Sequence, residues 1–320
     1  MMSDTKKIHI GIDVSKAILD VFILPQKKYM QFKNDTQGIE KLIAKIQLFP
    51  DALIVMESTG GYETPLSYAL CAAHFAVCVM NPRPIRDFAK ALGKLAKTDR
   101  IDAEMIALFA IKIEPKANVV FNKEQQKLSS NNARRRQLID MITAEKNRLD
   151  KAMPDQADSI RRVLDVLESE LDTINATQEK LLTDNVEYSE KKKILLSIKG
   201  VGVITATSLL CELPELGTLG PKQIAALAGV APFNRDSGTL KGKRTIWGGR
   251  ASVRNALYMA TLVATKHNSQ IRLFYNRLCA LGKAKKTAII ACMRKLLIIM
   301  NAMIRKNQLW IQPQEQFSCN

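Results

Sequence analysis

The sequence is poor in the residues that form thiolate metal sites and disulfide frameworks. It has six cysteines, none of them in a Cys-x-x-Cys pair, and three histidines. The histidines are His9, His74 and His267. Scattered thiols and so few imidazoles exclude a structural zinc site and a small disulfide-stapled fold. We interpret the cysteines as reduced, mostly buried thiols of a cytoplasmic protein.

The sequence also lacks an apolar signal segment at the N-terminus, internal repeats and low-complexity stretches. The most apolar late stretch, residues 288–304, is interrupted by Arg294 and Lys295. This stretch therefore predicts a core helix and no membrane span. With 320 residues, of which 47% are hydrophobic, the composition is that of a soluble globular protein of about two domains.

Acidic residues are scarce in the last part of the chain. Residues 191–320 contain 21 Lys and Arg but only four Asp and Glu, whereas the first 190 residues contain 27 of each. The whole net charge of +17 therefore belongs to the C-terminal part. Such an asymmetry indicates a polyanionic partner, most simply nucleic acid, with a solvated basic face as the alternative.

Residues 7–16 predict a central strand that carries a carboxylate near its end. Its β-branched residues lie close together, as is typical of a buried strand: Ile8, Ile10, Ile12 and Val14. Asp13 is the carboxylate, and its charge is costly in an apolar strand unless something compensates it. A metal ion is one compensation, and a cap on the next turn is the other interpretation.

The first 80 residues predict the element order of the RNase H-like fold. Further short strands are expected at residues 19–24, 29–33, 52–56 and 76–80. Helices are expected from Asn34 and from the turn at Ser58. The resulting order, β-β-β-α-β-α-β, is that of the RNase H-like fold. Sites of open α/β sheets gather where strands end, and Glu57 stands at the end of the fourth strand.

Two more carboxylates stand at the start of a predicted helix. Thr98 predicts the N-cap, and the helix is expected to run to about Ile111. Asp99 and Asp102 are three residues apart, so they share one helix face in the first turn. The helix dipole alone favours acids there, which is the alternative explanation.

Four acids that can converge predict a site for divalent cations. Asp13, Glu57, Asp99 and Asp102 cannot all stay ionised in one place without a compensating charge. Hard oxygen ligands favour Mg²⁺, with Mn²⁺ as the other candidate. Two such ions about 4 Å apart activate a nucleophile and stabilise the leaving oxygen in phosphodiester chemistry.

Residues 123–151 are polar and predict a helix that Pro154 breaks. The next helix has a short heptad seam, formed by Ile160, Leu164, Leu167, Leu171, Ile174 and Leu181. The two helices predict a helical hairpin within one chain or a coiled coil that joins protomers, and the sequence leaves both open. The run Arg134-Arg135-Arg136 in the first helix suits phosphate, although such a run is usually a solvated face.

The basic part opens with two predicted helices joined by Gly200-Val201-Gly202, in the manner of a helix-hairpin-helix motif. The glycines let backbone N–H groups approach a phosphate, and a helix N-terminus adds a favourable dipole. Lys199 directly precedes them. This pattern predicts a DNA contact that does not depend on base sequence.

Residues 233–250 are rich in glycine and cations, and they include Trp247, which can stack or wedge against a base. Ser237 lies among these cations, where a serine that attacks a phosphodiester would find charge stabilisation. The residues alone favour the alternative that Asp-Ser-Gly is simply a turn. The predicted nucleic-acid contacts here and in the next helix also include Arg235, Lys241, Lys243, Arg244, Arg250 and Arg254.

Six motifs resemble, in order and spacing, those of the DEDD-type insertion-sequence transposases and of their relatives, the Piv-type DNA invertases. They are Gly11-Ile12-Asp13-Val14-Ser15-Lys16, Glu57-Ser58-Thr59-Gly60, Asn81-Pro82, Lys97-Thr98-Asp99-Arg100-Ile101-Asp102-Ala103, Gly200-Val201-Gly202, and the run from Asp236-Ser237-Gly238 to Ala256-Leu257-Tyr258-Met259. The resemblance covers nearly the whole chain.

The resemblance implies three parts. These are a RuvC-like RNase H-fold domain in residues 1–115, a helical coiled-coil linker in residues 116–190, and a mostly helical, basic transposase domain in residues 191–320. It assigns the catalytic acids to Asp13, Glu57, Asp99 and Asp102. It also makes Ser237 a nucleophile, which reverses the preference for a turn. The serine would form a transient covalent link to DNA at a composite site with the acids and Mg²⁺.

The resemblance also implies partners and a cellular location. Double-stranded DNA, as element ends and target, would be the substrate, and a structured RNA would guide members of the transposase branch. A homodimer would assemble into a tetramer, in the bacterial cytoplasm at the nucleoid. The sequence does not separate an RNA-guided transposase from an invertase of one locus that uses no RNA.

Three other interpretations each fit part of the sequence. A metal-only junction endonuclease would use water as the nucleophile and Ser237 as a turn residue. A sugar-kinase-like ATPase also begins with Gly-Ile-Asp, but Val14-Ser15-Lys16 lacks the expected phosphate loop and a basic C-terminal half suits ATP poorly. The third interpretation, a non-catalytic nucleic-acid-binding protein, does not explain the four acids.

Overall fold

The computed structural model describes residues 7–94, 98–118, 122–234, 236–239, 242 and 244–311. The chain divides into two units, residues 1–122 and residues 123–320. Most of the predicted linker, from residue 123 onwards, falls within the second unit. The boundaries predicted at residues 115 and 190 stay a prediction. Four residues named above lie outside the described residues: Lys97, Arg235, Lys241 and Lys243.

The first unit is built on a five-stranded mixed sheet. Its strands are β1 (His9–Val14), β2 (Ile18–Leu24), β3 (Lys28–Lys33), β4 (Leu53–Glu57) and β5 (Ala76–Met80). The spatial order is β3-β2-β1-β4-β5, with antiparallel pairing among β1, β2 and β3 and parallel pairing of β4 with β1 and β5. Because β1 and β4 run in parallel, their carboxyl ends lie at the same edge of the sheet.

Helices cover both faces of this sheet. One face packs against α1 (Thr36–Ile46) and α2 (Thr64–Ala72), and the other against α3 (Pro82–Ala91) and α4 (Asp99–Ile113). Ile10 and Ile12 point into the first layer, where they meet Leu42 of α1. Burial on both faces explains why the central strands read as nearly continuous apolar runs.

The predicted order of strands and helices along the first 80 residues is confirmed, and the sheet is consistent with an RNase H-like fold. Thr98 caps α4 as predicted, because its hydroxyl accepts a hydrogen bond of 3.3 Å from the N–H of Ile101. Helix α3 was not predicted, because the sequence analysis placed no helix between the strand at residues 76–80 and the helix that Thr98 begins. Asn81 in fact caps α3 by accepting from the N–H of Arg83 (2.9 Å), and proline occupies its first turn.

The second unit begins with a long helical hairpin. Its helices are α5 (Lys123–Leu149) and α6 (Pro154–Asp184), with the proline in the first turn of α6 as expected. Three contacts join them at intervals along their length. They are Lys146 with Glu168 (2.8 Å), Arg135 with Asn175 (2.8 Å) and Asn132 with Gln178 (3.4 Å). Late residues of α5 meet early residues of α6, so the two helices are antiparallel.

The predicted heptad seam lies along α6. Leu164 is buried, and the other apolar members of the seam are half-buried. Gln178, which occupies the polar gap in the seam, is buried as well. Packing within one chain therefore buries Leu164 and Gln178, and a role of the seam in joining protomers stays a prediction.

The rest of the second unit is a helical core with one small two-stranded ribbon. Its elements are α7 (Val186–Leu196), α8 (Val203–Glu212), α9 (Pro221–Leu227), β6 (Pro232–Phe233), β7 (Thr245–Ile246), α10 (Ala251–His267), α11 (Ser269–Ala280) and α12 (Lys285–Lys306). Strands β6 and β7 pair in an antiparallel manner. Leu209 of α8, Leu257 of α10 and Leu296 of α12 are fully buried in one cluster.

Within the described ranges, α12 is the one helix with the length and apolar composition to cross a membrane, with a mean hydropathy of 1.7. Half of this apolar window is buried inside the protein. Leu296, Leu297 and Met300 of α12 are completely buried in the core of the second unit. This packing agrees with the predicted core helix.

Candidate active site and nucleic-acid interface

A row of carboxylates crosses three neighbouring strands at one edge of the sheet. Asp13 on β1 is the register partner of Asp20 on β2. Ile12 pairs with Met56 on β4, so Glu57 follows beside Asp13 at the strand ends. Side chains two residues apart share a face, so Asp13 lies on the same face as Gly11, and neighbouring strands are about 4.8 Å apart. The sheet therefore brings Asp13 and Glu57 side by side, with Asp20 next to them.

Helix α4 lies directly on this face because β1 has a glycine at the contact. A Cβ atom added to Gly11 would lie 2.3 Å from the backbone nitrogen of Ala107 and 2.4 Å from the carbonyl oxygen of Ala103. No side chain fits in that space, so the helix backbone and the strand backbone are in contact. This close approach sets the height of α4 above the row of carboxylates.

Helix α4 runs antiparallel to β1, which brings its first turn over the carboxylate row. Burial lowers the pKa of His9 at the start of β1, and the carboxylate of Glu114 at the far end of α4 opposes that shift. At the other end of the helix, Asp99 acts electrostatically on Tyr29, and the guanidinium of Arg100 lies 5.6 Å from the centre of the Tyr29 ring.

Each of the two acids of α4 shares a helix face with a residue that packs against a different strand. Asp99 is four residues from Ala103, which packs with Phe22 of β2. Asp102 is four residues from Ile106, which packs with Val55 of β4. Residues four apart lie on one helix face, so Asp99 points toward the β1–β2 side of the row and Asp102 toward the β4 side.

Asp20 was missed by the sequence analysis, although it is 3% exposed and the most buried carboxylate of this row. Its Oδ1 accepts hydrogen bonds from the Tyr29 hydroxyl (2.5 Å) and from Nε2 of Gln31 (2.9 Å), both on β3. The hydrogen bond to Asp20, followed by burial, raises the pKa of Tyr29 to about 12. A signal existed in the sequence, because Asp20 interrupts an apolar strand as Asp13 does.

Replacing Tyr29 by phenylalanine tests this network. Because the folded-state pKa of Tyr29 is about 12, above its ordinary value of 10.0, the stabilisation from its hydroxyl is complete below pH 10 and is lost as the pH rises through 12. We expect the variant to be less stable by about 1 kcal/mol at pH 8. We also expect an absorbance titration of tyrosine ionisation at 295 nm to lose a step near pH 12. An unchanged titration would contradict the assignment.

The four acids predicted from the sequence are placed at one end of the sheet, but they are not drawn into a formed metal site. Within the part of the chain that the structure describes, no three His, Cys, Asp or Glu side chains are grouped closely enough to hold a metal ion. The donor chemistry nevertheless suits a hard divalent cation, since the row and the first turn of α4 offer only carboxylate oxygens.

Ser237 lies in the loop between β6 and β7, and it is exposed. Oδ1 of Asp236 accepts a hydrogen bond of 3.1 Å from the N–H of Gly242 and so closes part of this loop. Gly238 has a φ of +57°, a conformation that favours glycine. The turn predicted for Asp-Ser-Gly is therefore present, and it leaves the Ser237 hydroxyl at the surface.

Some of the residues predicted to contact nucleic acid already form hydrogen bonds within the protein. Arg250 donates to both carboxylate oxygens of Glu215 (2.6 and 2.7 Å) and to the carbonyl of Glu212 (2.9 Å). Arg254 donates to the carbonyl of Gly248 (2.8 Å). These bonds anchor the loop that precedes α10. Exposed side chains at the other described positions are those of Lys199, Arg244 and Trp247.

The two glycines between α7 and α8 have different structural roles. Gly200 has a φ of +106°, and a Cβ there would lie 2.7 Å from the Cα of Ala264 on α10. Close packing therefore already explains this glycine. Gly202 is the N-cap of α8, has a φ of −90° and has open space around its Cα. It leaves the first N–H groups of α8 without a side-chain cap.

Comparison with known families agrees with both units. Residues 10–156 match the family model for DEDD-type IS110 transposases, and residues 192–276 match the model described as Transposase IS116/IS110/IS902 family. The α/β unit with its acidic edge and the basic helical unit thus define an enzyme that recombines DNA, by transposition or inversion. The chain belongs to the IS110 family of DEDD-type transposases and their invertase relatives.

Individual relatives include both kinds of recombinase. The pilin gene-inverting protein of Moraxella bovis is 29% identical over 316 residues, which cover 94% of this chain and 97% of that protein. The 43.6 kDa protein of insertion element IS110 of Streptomyces coelicolor is 31% identical over 115 residues, which cover 35% of this chain and 28% of that protein. The 42 kDa protein of insertion element IS900 of Mycobacterium paratuberculosis is 28% identical over 144 residues, which cover 44% of this chain and 36% of that protein.

Proposed function

We propose that this protein cuts and rejoins DNA strands through a covalent phosphoserine intermediate. The observation that carries the proposal is the placement of the first turn of α4 over the Asp13–Glu57 edge of the sheet. In the proposal, the four carboxylates of this edge and of that turn act on one phosphodiester. In support, Ser237 is exposed on a loop of the basic unit, as a nucleophile that meets DNA must be.

In the proposed reaction, Oγ of Ser237 attacks phosphorus, so an Oγ–P bond forms and one P–O bond of the DNA strand breaks. The serine loses its proton to a carboxylate or to solvent, and the departing DNA oxygen gains one and leaves as a hydroxyl. Attack of a DNA hydroxyl on the phosphoserine reverses these changes and rejoins a strand. The number of phosphodiester bonds is conserved, so no external energy source is needed.

Asp13, Glu57, Asp99 and Asp102 would hold Mg²⁺, or Mn²⁺ in its place. When bound, the ion supplies Lewis-acid stabilisation of charge on the phosphoryl oxygens. The carboxylates of the chain orient the cation and accept protons, and Tyr29 with Gln31 holds Asp20 in place beside Asp13.

The remaining parts of the proposal concern partners. Double-stranded DNA at element ends and target would be contacted by residues of the basic unit: Lys199, Gly200, Gly202, Arg235, Lys241, Lys243, Arg244, Trp247, Arg250 and Arg254. A structured RNA would guide the protein, the α5–α6 hairpin would join protomers into dimers and tetramers, and the protein would act at the nucleoid in the bacterial cytoplasm.

A second candidate is site-specific inversion of one DNA locus without a guide RNA. The match to the pilin gene-inverting protein spans 97% of that relative, whereas the matches to insertion-element proteins span about a third of theirs. A reaction with and without total RNA from the host separates the two, because only the transposase would need the RNA.

The test of the proposed chemistry is to trap covalent protein–DNA adducts. Purified protein, Mg²⁺ and host RNA are incubated with DNA that carries candidate element ends, and the products are resolved on a denaturing gel. Adducts that require both Ser237 and the acids would support a shared site. If both the wild type and a serine variant cleave DNA without forming an adduct, the result would indicate a metal-only endonuclease.

Replacing Asp102 by asparagine should lower adduct formation by about 100-fold or more, because it removes one charge from the cation site. The direct readout is Mn²⁺ binding, measured from the electron paramagnetic resonance signal of free Mn²⁺, which we expect to be at least about 10-fold weaker. Glu104→Gln, two residues further along the same helix, is the matched control and should bind Mn²⁺ as the wild type does. Equal Mn²⁺ affinity of Asp102→Asn and the control would refute the assignment.

A further inference from the structure

A cleft of about 190 Å³ lies between the α5–α6 hairpin and the first turn of α8. Polar side chains line it from all three helices, and Val203 and Ile204 of α8 form its apolar side. The polar residues are Asn132 and Arg135 on α5, Asn175, Gln178 and Glu179 on α6, and Thr207 and Ser208 on α8. The side chains of Val203 and Ile204 are 52% and 62% exposed, so the cleft opens to the surface at the start of α8.

The three consecutive arginines of α5 have different surroundings. Arg136 forms an ion pair with Glu212 (2.7 Å), and exposed Arg134 donates to the side-chain oxygen of Gln137 (3.4 Å). Arg135 donates from Nε to Oδ1 of Asn175 (2.8 Å). Among the residues that the structure describes, no carboxylate lies within ion-pair distance of Arg135.

The guanidinium of Arg135 is therefore a half-buried charge without a protein counter-charge. Burial lowers the pKa of Arg135, which is the signature of a charge that has lost part of its hydration. The one carboxylate of the cleft, on Glu179, is already held by Lys192 at 2.5 and 2.6 Å. The cleft thus carries one uncompensated positive charge. The two terminal NH₂ groups of Arg135 form the fork that suits phosphate.

Two other features of the cleft point to the same kind of ligand. The first N–H groups of α8 have no side-chain cap, so the positive end of the helix is available to an anion. Gln178 is only 3% exposed, and its Nε2 donates to Oδ1 of Asn132 and to Sγ of Cys211. Its Oε1 accepts no hydrogen bond within the described part of the chain, which leaves an acceptor at the cleft surface for a donor of the ligand.

We infer that this cleft binds one backbone phosphate of a nucleic-acid strand. The guanidinium of Arg135 pairs with the non-bridging oxygens, the N-terminal N–H groups of α8 donate to the same phosphate, and Oε1 of Gln178 accepts from a hydroxyl or amino group of that nucleotide. This site rests on the nucleic-acid binding of the proposed function and adds a defined phosphate position to it. DNA and RNA share this chemistry, so the experiment includes both.

The test is equilibrium binding, measured by fluorescence anisotropy over a salt series. The probes are a fluorescein-labelled DNA duplex of mixed sequence and a labelled RNA hairpin, both of about 30 nucleotides per strand, a length that exceeds one protein footprint. Arg135→Gln should weaken binding of at least one probe about 10-fold and lower the slope of log K against log salt by about 1. Arg134→Gln, the neighbouring exposed arginine, is the matched control and should change affinity by less than about 2-fold.

A second variant keeps the inference testable if Arg135→Gln fails to fold. Asn175→Asp retains the acceptor for Nε of Arg135 but supplies an internal counter-charge. It should therefore weaken the same probe to a similar extent although the arginine is present. A loss confined to the RNA probe would assign the phosphate to RNA, and a loss confined to the duplex would assign it to DNA.

The inference is overturned if folded Arg135→Gln or Asn175→Asp binds both probes with wild-type affinity and salt slope. This outcome is separate from the fate of the phosphoserine proposal, which depends on adducts at Ser237. If the wild-type protein forms no adduct, but Arg135→Gln still weakens binding, the inferred phosphate site stands and the proposed phosphoserine chemistry is refuted.

Discussion

Ser237→Ala is expected to abolish covalent protein–DNA adducts and to lower strand rejoining by at least about 1,000-fold, because in the proposed reaction Oγ of Ser237 is the attacking atom. Ser237 is exposed on the β6–β7 loop and contributes no side chain to the buried core. The substitution should therefore leave the folded state unchanged. The measurement is the yield of slow-migrating labelled DNA on a denaturing gel, with a proteinase step to prove that the adduct contains protein.

The matched control for this prediction is Thr239→Ala. Thr239 lies two residues along in the same loop, is exposed and also carries a hydroxyl. Its alanine variant should form adducts at nearly the wild-type yield. If Ser237→Ala and Thr239→Ala both keep the wild-type yield, the nucleophile lies elsewhere in the protein. If DNA is cut without any adduct, water is the nucleophile and Ser237 is a turn residue.

Replacing Gly11 by alanine should have the largest effect on stability, about 3 kcal/mol, because the added carbon meets backbone and not a movable side chain. The new Cβ would lie 2.3 Å from the nitrogen of Ala107 and 2.4 Å from the oxygen of Ala103. Helix α4 must move away from β1 to relieve this overlap. Since Asp99 and Asp102 are in the first turn of α4, Mn²⁺ binding should weaken together with stability.

Hydrogen exchange measured by mass spectrometry can localise this effect. Peptides from β1 and α4 should lose protection in Gly11→Ala, while peptides from the buried helices of the second unit should not. Gly202→Ala is a suitable comparison, because Gly202 has a φ of −90° and open space around it, and it should cost less than about 1 kcal/mol. Equal protection of α4 in Gly11→Ala and in the wild type would show that the strand and helix adjust without cost.

Much of the first unit was predictable because its signals are local. Runs of β-branched residues mark β1 and β4, and Thr98 marks the start of α4 through one hydrogen bond to Ile101. The same holds for Pro154, which occupies the first turn of α6. Each of these signals acts over a few residues, so the rest of the fold is not needed to interpret them.

The residues that were missed or remain undecided depend on partners far along the chain. Asp20 gains its place in the carboxylate row only through the register of β1 with β2. Arg250 was predicted from its glycine-rich, basic neighbourhood, but its guanidinium is held by Glu215, which lies 35 residues earlier. A charge pattern identifies cations, and it does not show which of them already have an internal carboxylate.

The sequence by itself determined the class of this protein: an α/β unit with four spaced acids, two long helices divided at a proline, and a basic helical part that suits nucleic acid. These features rest on periodicity, capping and charge, which are properties of short segments. Only the tertiary structure decided that Gly11 admits α4 onto the acidic edge and that Arg135, alone among three adjacent arginines, is half-buried without a counter-charge. Close packing and ion pairing join residues distant in sequence, and for that reason they are settled only when the chain folds.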